Sequence, residues 1–387
     1  MKQMRYAMEK LRVLQVNKYY TPHIGGIERV VQQIAEGLAK ETEMTVLVSA
    51  EDRKYHEETR NGVTLIRLPR HIKFGSMPIS FGLFGKLRKL AKEQDVIHLH
   101  MPFPMGDLAC LLSGYKGKIV LWWHSDVVRQ KKLMLFYKPI MLRILKRADA
   151  IIVATQGHID GSAYLKPYQK KCCIIPFGVE QRIEKIANKY IVQKETQNDK
   201  RKKQNLPRFL FVGRFAYYKG CDVLLEAFAR VTGAELTMVG SGGLEQHLKQ
   251  RAKELGITDN IRFTGSLSEE ELYAQYEQCD VLVLPSVARS EAFGLVQIEA
   301  MAFGKPVINT KLPSGVPYVS IHGETGLTVE PGNVQQLTEA MQWMVNHEEE
   351  KLIMGKKARE RMKAQYRLET MTKRVLELYG ELVKGIE

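Results

Sequence analysis

An α/β fold of two parallel-sheet domains is what this 387-residue sequence predicts, on three observations. Each half opens on the same unit: an apolar strand, a glycine-containing loop and a helical pattern. Short apolar strands then alternate with helical stretches in both halves, the pattern of parallel sheets joined by right-handed crossovers. From 183 to 207 the run IEKIANKYIVQKETQNDKRKKQNLP displaces the core pattern with Lys, Gln and Asn. The chain is longer than one hydrophobic core usually supports, so this break reads as a boundary.

In the first half LRVLQVNKYY is the opening strand and TPHIGGIERVVQQIAEGLAK its loop and helix. MTVLVSA, DVIHLH, KIVLWWH and DAIIVAT follow as strands. In the second half PRFLFVGRF leads into AYYKGCDVLLEAFARV, followed by LTMVGSG, NIRFTG, DVLVLP and KPVINT. Two Rossmann-like domains result, residues 1–188 and 207–369, with 189–206 an exposed linker or a basic excursion within one domain. From Glu348 to Glu387 the chain is a charged helical run with Leu, Met, Tyr and Val at spaced positions.

The whole +15 net charge falls within residues 1–190, and the remainder is neutral. Such asymmetry marks the first half as the part that meets something anionic, a nucleic acid or an acidic membrane face. No recognisable nucleic-acid module accompanies it, so nucleic acid is not the expected partner. No stretch reaches the roughly 18 to 20 uninterrupted apolar residues of a membrane span. The start, MKQMRYAMEKLRVLQVN, has only a short, interrupted apolar segment and no small-residue cleavage site, which points to a cytoplasmic location. The five cysteines, Cys110, Cys172, Cys173, Cys221 and Cys279, lack metal spacing and read as structural.

The chemistry-bearing run is SEAFGLVQIEAMAFG, Ser290 to Gly304. Leu295, Ile298, Met301 and Ala302 recur at helical spacing, which puts Glu299 on a helix and Glu291 on the loop entering it. Gly294 opens the backbone at the boundary. The amides from Gly294 through Leu295 and Val296 would then form a helix N-terminus suited to phosphate, flanked by carboxylates able to accept hydrogen bonds from sugar hydroxyls. In VGRFAYYKG, Arg214 and Lys219 follow the end of a strand, where open α/β sheets bind ligands. A guanidinium and a compact ammonium there can hold a diphosphate.

Glycine turns follow further strands: Gly240, Gly242 and Gly243 in VGSGGLEQHL, then Gly265 and Leu267 in FTGSLSEEEL. In the first half Gly25 and Gly26 lie between strand and helix, either for a tight turn or for close approach of a ligand. His124 ends the strand of KIVLWWHSD. His98 and His100 alternate along VIHLHMPFP and could suggest a metal face, but no third ligand is visible.

In this order the E-x7-E from Glu291 to Glu299, the Arg214–Lys219 segment and the glycine turns resemble retaining glycosyltransferases of the GT-B fold, family 4, also called glycosyl transferases group 1. The resemblance implies two Rossmann-like domains facing each other across a cleft, with the last helix, 370–387, crossing back to pack on the first. It implies that Glu291 reaches the transferred sugar of a nucleotide-diphosphate sugar, Glu299 holds the ribose, and Gly294, Leu295 and Val296 meet the diphosphate. Arg214 and Lys219 would grip that diphosphate, Gly240 and Gly242 lie near the nucleotide, and the Leu267 loop cradle the base. Gly25 and Gly26 would approach the diphosphate or acceptor, and His124 would lie beside the transferred sugar. His124, Arg214, Lys219 and Glu291 are thus the expected catalytic set. Transfer would retain configuration by a dissociative same-face substitution.

No metal or other cofactor is expected, because two cations and a helix end fill the metal's role and no Asp-x-Asp motif is placed to bridge one. Non-hydrolysing nucleotide-sugar epimerases share the architecture but need further acid–base groups that are not found beside the E-x7-E.

Residues 127 to 149 interleave Arg129, Lys131, Lys132, Lys138, Arg143, Lys146 and Arg147 with apolar residues. This is either a core helix with a basic outer face or a surface for anionic lipid. The local string HSDVVRQKKL resembles bacterial O-antigen and polysaccharide mannosyl- or rhamnosyltransferases. That implies a GDP-linked donor such as GDP-mannose, with a UDP-sugar the alternative, and a lipid-linked or oligosaccharide acceptor. The expected site of action is the anionic inner face of the plasma membrane.

Overall fold

The computed structural model describes residues 10–23, 25–74, 77–126, 131–196 and 206–385. They form two compact units. The first takes the chain up to Ala154, then His158–Phe177 and the C-terminal segment from Glu369; the second takes Thr155–Gly157 and Gly178–Leu368.

In the first unit the strands are β1 (Leu11–Val16), β2 (Thr42–Ser49), β3 (His56–Arg60), β4 (Val63–Leu68), β5 (Ile72–Phe74), β6 (Met77–Ile79), β7 (Val96–Met101), β8 (Lys118–Trp123), β9 (Ala150–Val153) and β10 (Cys172–Ile174). Eight of them form one sheet in the order β10-β9-β8-β7-β1-β2-β4-β3. Every pairing in it is parallel except β3 with β4. Strand β3, HEETR, is exposed along its whole length and has no apolar pattern, which is why the sequence gives it no signal. β5 and β6 form a separate antiparallel pair.

The centre of the sheet is buried on both faces, as a parallel sheet flanked by helices must be. All six residues of β7 are buried. The apolar faces of the helices Gly82–Leu90, Pro104–Leu112 and Lys131–Arg147 pack into one core with Leu14, Leu99 and Leu121. The last helix, Leu368–Lys384, buries Met371, Val375, Leu378 and Tyr379. Tyr379 reaches β7, its hydroxyl 2.6 Å from His98 Nδ1.

The second unit has six parallel strands: β11 (Arg208–Val212), β12 (Glu235–Val239), β13 (Ile261–Gly265), β14 (Val281–Val283), β15 (Val307–Thr310) and β16 (Gly326–Val329). Their order is β13-β12-β11-β14-β15-β16. The order reverses direction at β11 and β14, so the loops after these two strands diverge to leave a crevice at their C-terminal ends.

The stretch read as a linker begins differently. Gln181–Thr196 is a helix whose stripe of Ile183, Ala187, Tyr190 and Ile191 faces inward; Ile183 and Ala187 are fully buried. Arg359 donates to Asn188 Oδ1, Arg367 pairs with Glu184, and Tyr190 lies against Phe303, which ties this helix to the second unit. The chain therefore passes from one unit to the other at Phe177–Gly178 rather than near 188. A dense polar face hid an apolar stripe at i, i+4, i+7 and i+8. Residues 197–205 of the expected linker lie outside the described residues.

Candidate active site

Four loops stand side by side at the C-terminal ends of the strands of the second unit. Backbone hydrogen bonds lace them together. Gly213 N donates to Val239 O, Phe215 N to Ser241 O, and Gly240 N to Gly265 O, at 2.9 to 3.0 Å. The hydroxyls of Ser241 and Ser266 meet at 3.0 Å. On the other side Val287 N donates to Tyr218 O at 2.9 Å. The segments carrying Leu267, Gly240 and Gly242, Arg214 and Lys219, and Glu291 are thus neighbours in the order β13, β12, β11, β14.

Gly240 shows why glycine is needed here. Its φ is +139°, and a Cβ built on it would stand 1.9 Å from the carbonyl oxygen of Gly213. Any side chain would push the β11 and β12 loops apart.

The helix Leu295–Ala302 starts at Gly294, whose φ is +74°. Leu295 and Val296 occupy its first turn, where backbone N–H groups have no acceptor inside the helix. Glu299 lies on this helix and accepts a 2.7 Å hydrogen bond from the Tyr276 hydroxyl. Glu291 lies on the entering loop, its N–H bonded to Ala288 O.

Lys219 and Glu291 are both buried, at 9% and 8% exposure, although groups that act on a bound donor would be expected to stand open in a cleft. They form an ion pair, Lys219 Nζ to Glu291 Oε2 at 2.6 Å. Ser286 Oγ donates to the same carboxylate oxygen at 3.1 Å. Burial pushes the Lys219 ammonium toward deprotonation, but the charge and hydrogen bond of the Glu291 carboxylate, together with nearby Tyr218 and Cys221, outweigh it and hold the pKa above the ordinary lysine value. Lys219 therefore presents a fixed full charge. Arg214, by contrast, is exposed.

In the first unit Gly25 is the residue before the helix Gly26–Leu38, in extended backbone, so the turn itself does not demand glycine there. His124 follows β8 and is buried. Its ring stacks nearly parallel to that of Phe177, with centroids 5.8 Å apart and planes at 3°, and its centroid lies 5.9 Å from that of Trp122. His124 Nε2 is 3.0 Å from His100 Nδ1. His98 and His100 face different partners, Tyr379 and the pair Gln15 with His124. Among the described residues no group of three or more His, Cys, Asp or Glu side chains is placed to hold a metal ion.

Three contributors escape the sequence reading. Ser286 stands at the end of DVLVLPS and fixes Glu291; a polar residue closing an apolar strand was its signal. Gln15, an amide inside LRVLQV, is fully buried, and a lone polar residue in an apolar strand is a similar flag. Tyr276 carries no local signal, since its role depends on a helix packing beside Glu299.

Residues 192–361 match the family described as glycosyl transferases group 1, and residues 24–181 match glycosyltransferase family 4. The O-antigen chain mannosyltransferase C of Escherichia coli is 32% identical over 97% of this chain and 100% of its own length. The D-rhamnosyltransferase WbpZ of Pseudomonas aeruginosa is 34% identical, over 91% of each chain. The solved sucrose-phosphate synthase from Thermosynechococcus elongatus superposes with a TM-score of 0.77 at 24% identity, over 97% of this chain and all of that one. Its likeness, with that of WaaG, a glycosyltransferase involved in lipopolysaccharide biosynthesis (TM-score 0.68, 18% identity, 95% of this chain and 99% of that one), gives the two-domain α/β architecture as GT-B. Two family matches that together take in most of the sequence, and a relative alike along its full length, make this chain a member of glycosyltransferase family 4, and hence a hexosyltransferase.

Proposed function

We propose that the chain transfers mannose or a related hexose from a GDP-sugar to a lipid-linked saccharide, with retention of configuration, in the synthesis of a bacterial cell-surface polysaccharide. The observation that carries the donor site is the buried Lys219–Glu291 pair beside the helix start at Gly294. Lys219, Arg214 and the amides of Leu295 and Val296 bring positive charge to the place where a leaving diphosphate gains negative charge. Glu291 positions the sugar, Glu299 the ribose, and His124 a hydroxyl of the transferred sugar. The names of the E. coli and P. aeruginosa relatives support mannose or D-rhamnose and an O-antigen-type acceptor.

A thermal-shift screen against GDP, UDP and their sugars tests the donor. GDP and GDP-mannose are expected to raise the melting temperature and UDP to leave it unchanged; stabilisation by UDP alone replaces the donor. The anomeric configuration of the product, read by NMR, tests retention. In this reading the two cations and the helix end do the work a divalent metal does elsewhere, so transfer survives chelator. Loss of transfer on chelation, restored by magnesium or manganese, rejects that part.

The first unit is the part proposed to meet an anionic membrane. On the helix Lys131–Arg147, Leu135 and Phe136 are 75% and 79% exposed beside exposed Lys138, Arg143 and Lys146, while Met134, Tyr137 and Met141 are buried. An outward face that is both basic and apolar suits a lipid interface. Each basic residue near such a surface contributes about 1 kcal/mol, screened within a Debye length. Sedimentation with anionic vesicles is expected at low salt and lost at high salt. Neutralising Lys138, Arg143 and Lys146 together is expected to abolish it; unchanged binding rejects this surface. Arg129 lies outside the described residues.

A further inference from the structure

Three polar side chains stand in line across neighbouring strands of the first unit: Gln15 on β1, His100 on β7 and His124 just past β8. All are buried, at 0%, 1% and 6% exposure. Gln15 Oε1 lies 2.9 Å from His100 Nε2, and His100 Nδ1 lies 3.0 Å from His124 Nε2. Burial, then the neighbouring histidines, keep the pKa of both rings well below the ordinary value. Each ring is neutral and carries one N–H, so the direction of one hydrogen bond fixes the next.

The direction is set at Gln15. Its Nε2 faces Met44 Sδ at 3.5 Å, a weak acceptor, which leaves Oε1 toward His100. The opposite amide orientation would set an oxygen against sulfur lone pairs. An acceptor at Oε1 calls for the proton on His100 Nε2. His100 Nδ1 is then a lone pair, and it calls for the proton on His124 Nε2. The remaining nitrogen, His124 Nδ1, is left without hydrogen. Trp122 and Phe177, stacked on the ring at interplanar angles of 13° and 3°, hold its plane.

We propose that Gln15 and His100 are positioning residues that fix His124 as its Nε2–H tautomer, so that Nδ1 accepts a hydrogen bond from a hydroxyl of the transferred sugar and cannot donate one. The proposal rests on the reading of His124 as a sugar-facing residue. Its consequence is selectivity. A ring that only accepts at that nitrogen favours a sugar with a hydroxyl there over one carrying fluorine or hydrogen, and a buried group left unpaired penalises the wrong sugar.

Nitrogen-15 NMR of histidine-labelled protein tests it, with the His124 signals assigned by their loss in His124→Gln. In the wild type, Nε2 is expected to be the protonated nitrogen and Nδ1 the bare one; the reverse overturns the proposal. Gln15→Met keeps the bulk but removes the acceptor, leaving the His100 Nε2–H buried without a partner, a state folded proteins rarely hold. His124 is expected to move in that variant toward the Nδ1–H form, and transfer from GDP-mannose to fall about tenfold. An unchanged His124 tautomer in Gln15→Met overturns the role of Gln15. If that variant does not fold, the wild-type spectrum still decides. Failure of the sugar-facing reading is seen separately: His124→Gln would then transfer at the wild-type rate whatever tautomer the spectrum shows.

Discussion

Replacing Glu291 or Lys219 with alanine is expected to lower sugar transfer on the order of 100-fold or more, the loss that follows removal of one preorganised group from a charge-stabilising site. Stability should fall as well. The two side chains pair at 2.6 Å with about a tenth of each side chain exposed, so deleting one leaves the other charge buried and unmatched. Breaking such a pair costs about 3–5 kcal/mol, while removing both charges is far less damaging. Lys219→Met combined with Glu291→Gln is therefore expected to recover much of the stability and none of the transfer. Urea unfolding midpoints and initial transfer rates separate the two effects. Wild-type-like transfer in either single variant removes the pair from the mechanism; a double variant no more stable than the single ones removes the ion pair as the source of the instability.

Gly240→Ala is expected to cost about 3 kcal/mol of stability and to weaken donor binding, because two penalties coincide at one atom. A φ of +139° is unfavourable for alanine, and the new methyl would meet the Gly213 oxygen 1.9 Å away. The strain spreads directly into the β11 loop that carries Arg214. Gly233→Ala is the control: its φ is also positive, +70°, but no atom lies within 4 Å of the added Cβ, so only the backbone penalty applies. If Gly240→Ala unfolds at the same urea concentration as Gly233→Ala, contact between the two loops is not what requires glycine.

What the sequence by itself determined was local. The spacing of Leu295, Ile298, Met301 and Ala302 puts Glu299 on a helix, Glu291 on its entry loop and Gly294 at the junction, and the structure has this arrangement. Short apolar runs likewise mark the central strands, since each lies in a buried parallel sheet and must be apolar whatever its neighbours are. Edge strand β3 carries no such mark because both its faces are wet. Only the tertiary structure decided which polar groups are dry and whom they meet. Lys219 and Glu291 are 72 residues apart, Gln15 and His100 are 85, and the pairing of each follows from strand order, which residue periodicity does not encode. The helix Gln181–Thr196 shows the same division: its stripe was present in the sequence, but the partner that covers Ile183 and Ala187, and hence the unit they join, comes from packing. Periodicity reports the environment a side chain needs, whereas charge pairing and proton position depend on segments brought together from far along the chain.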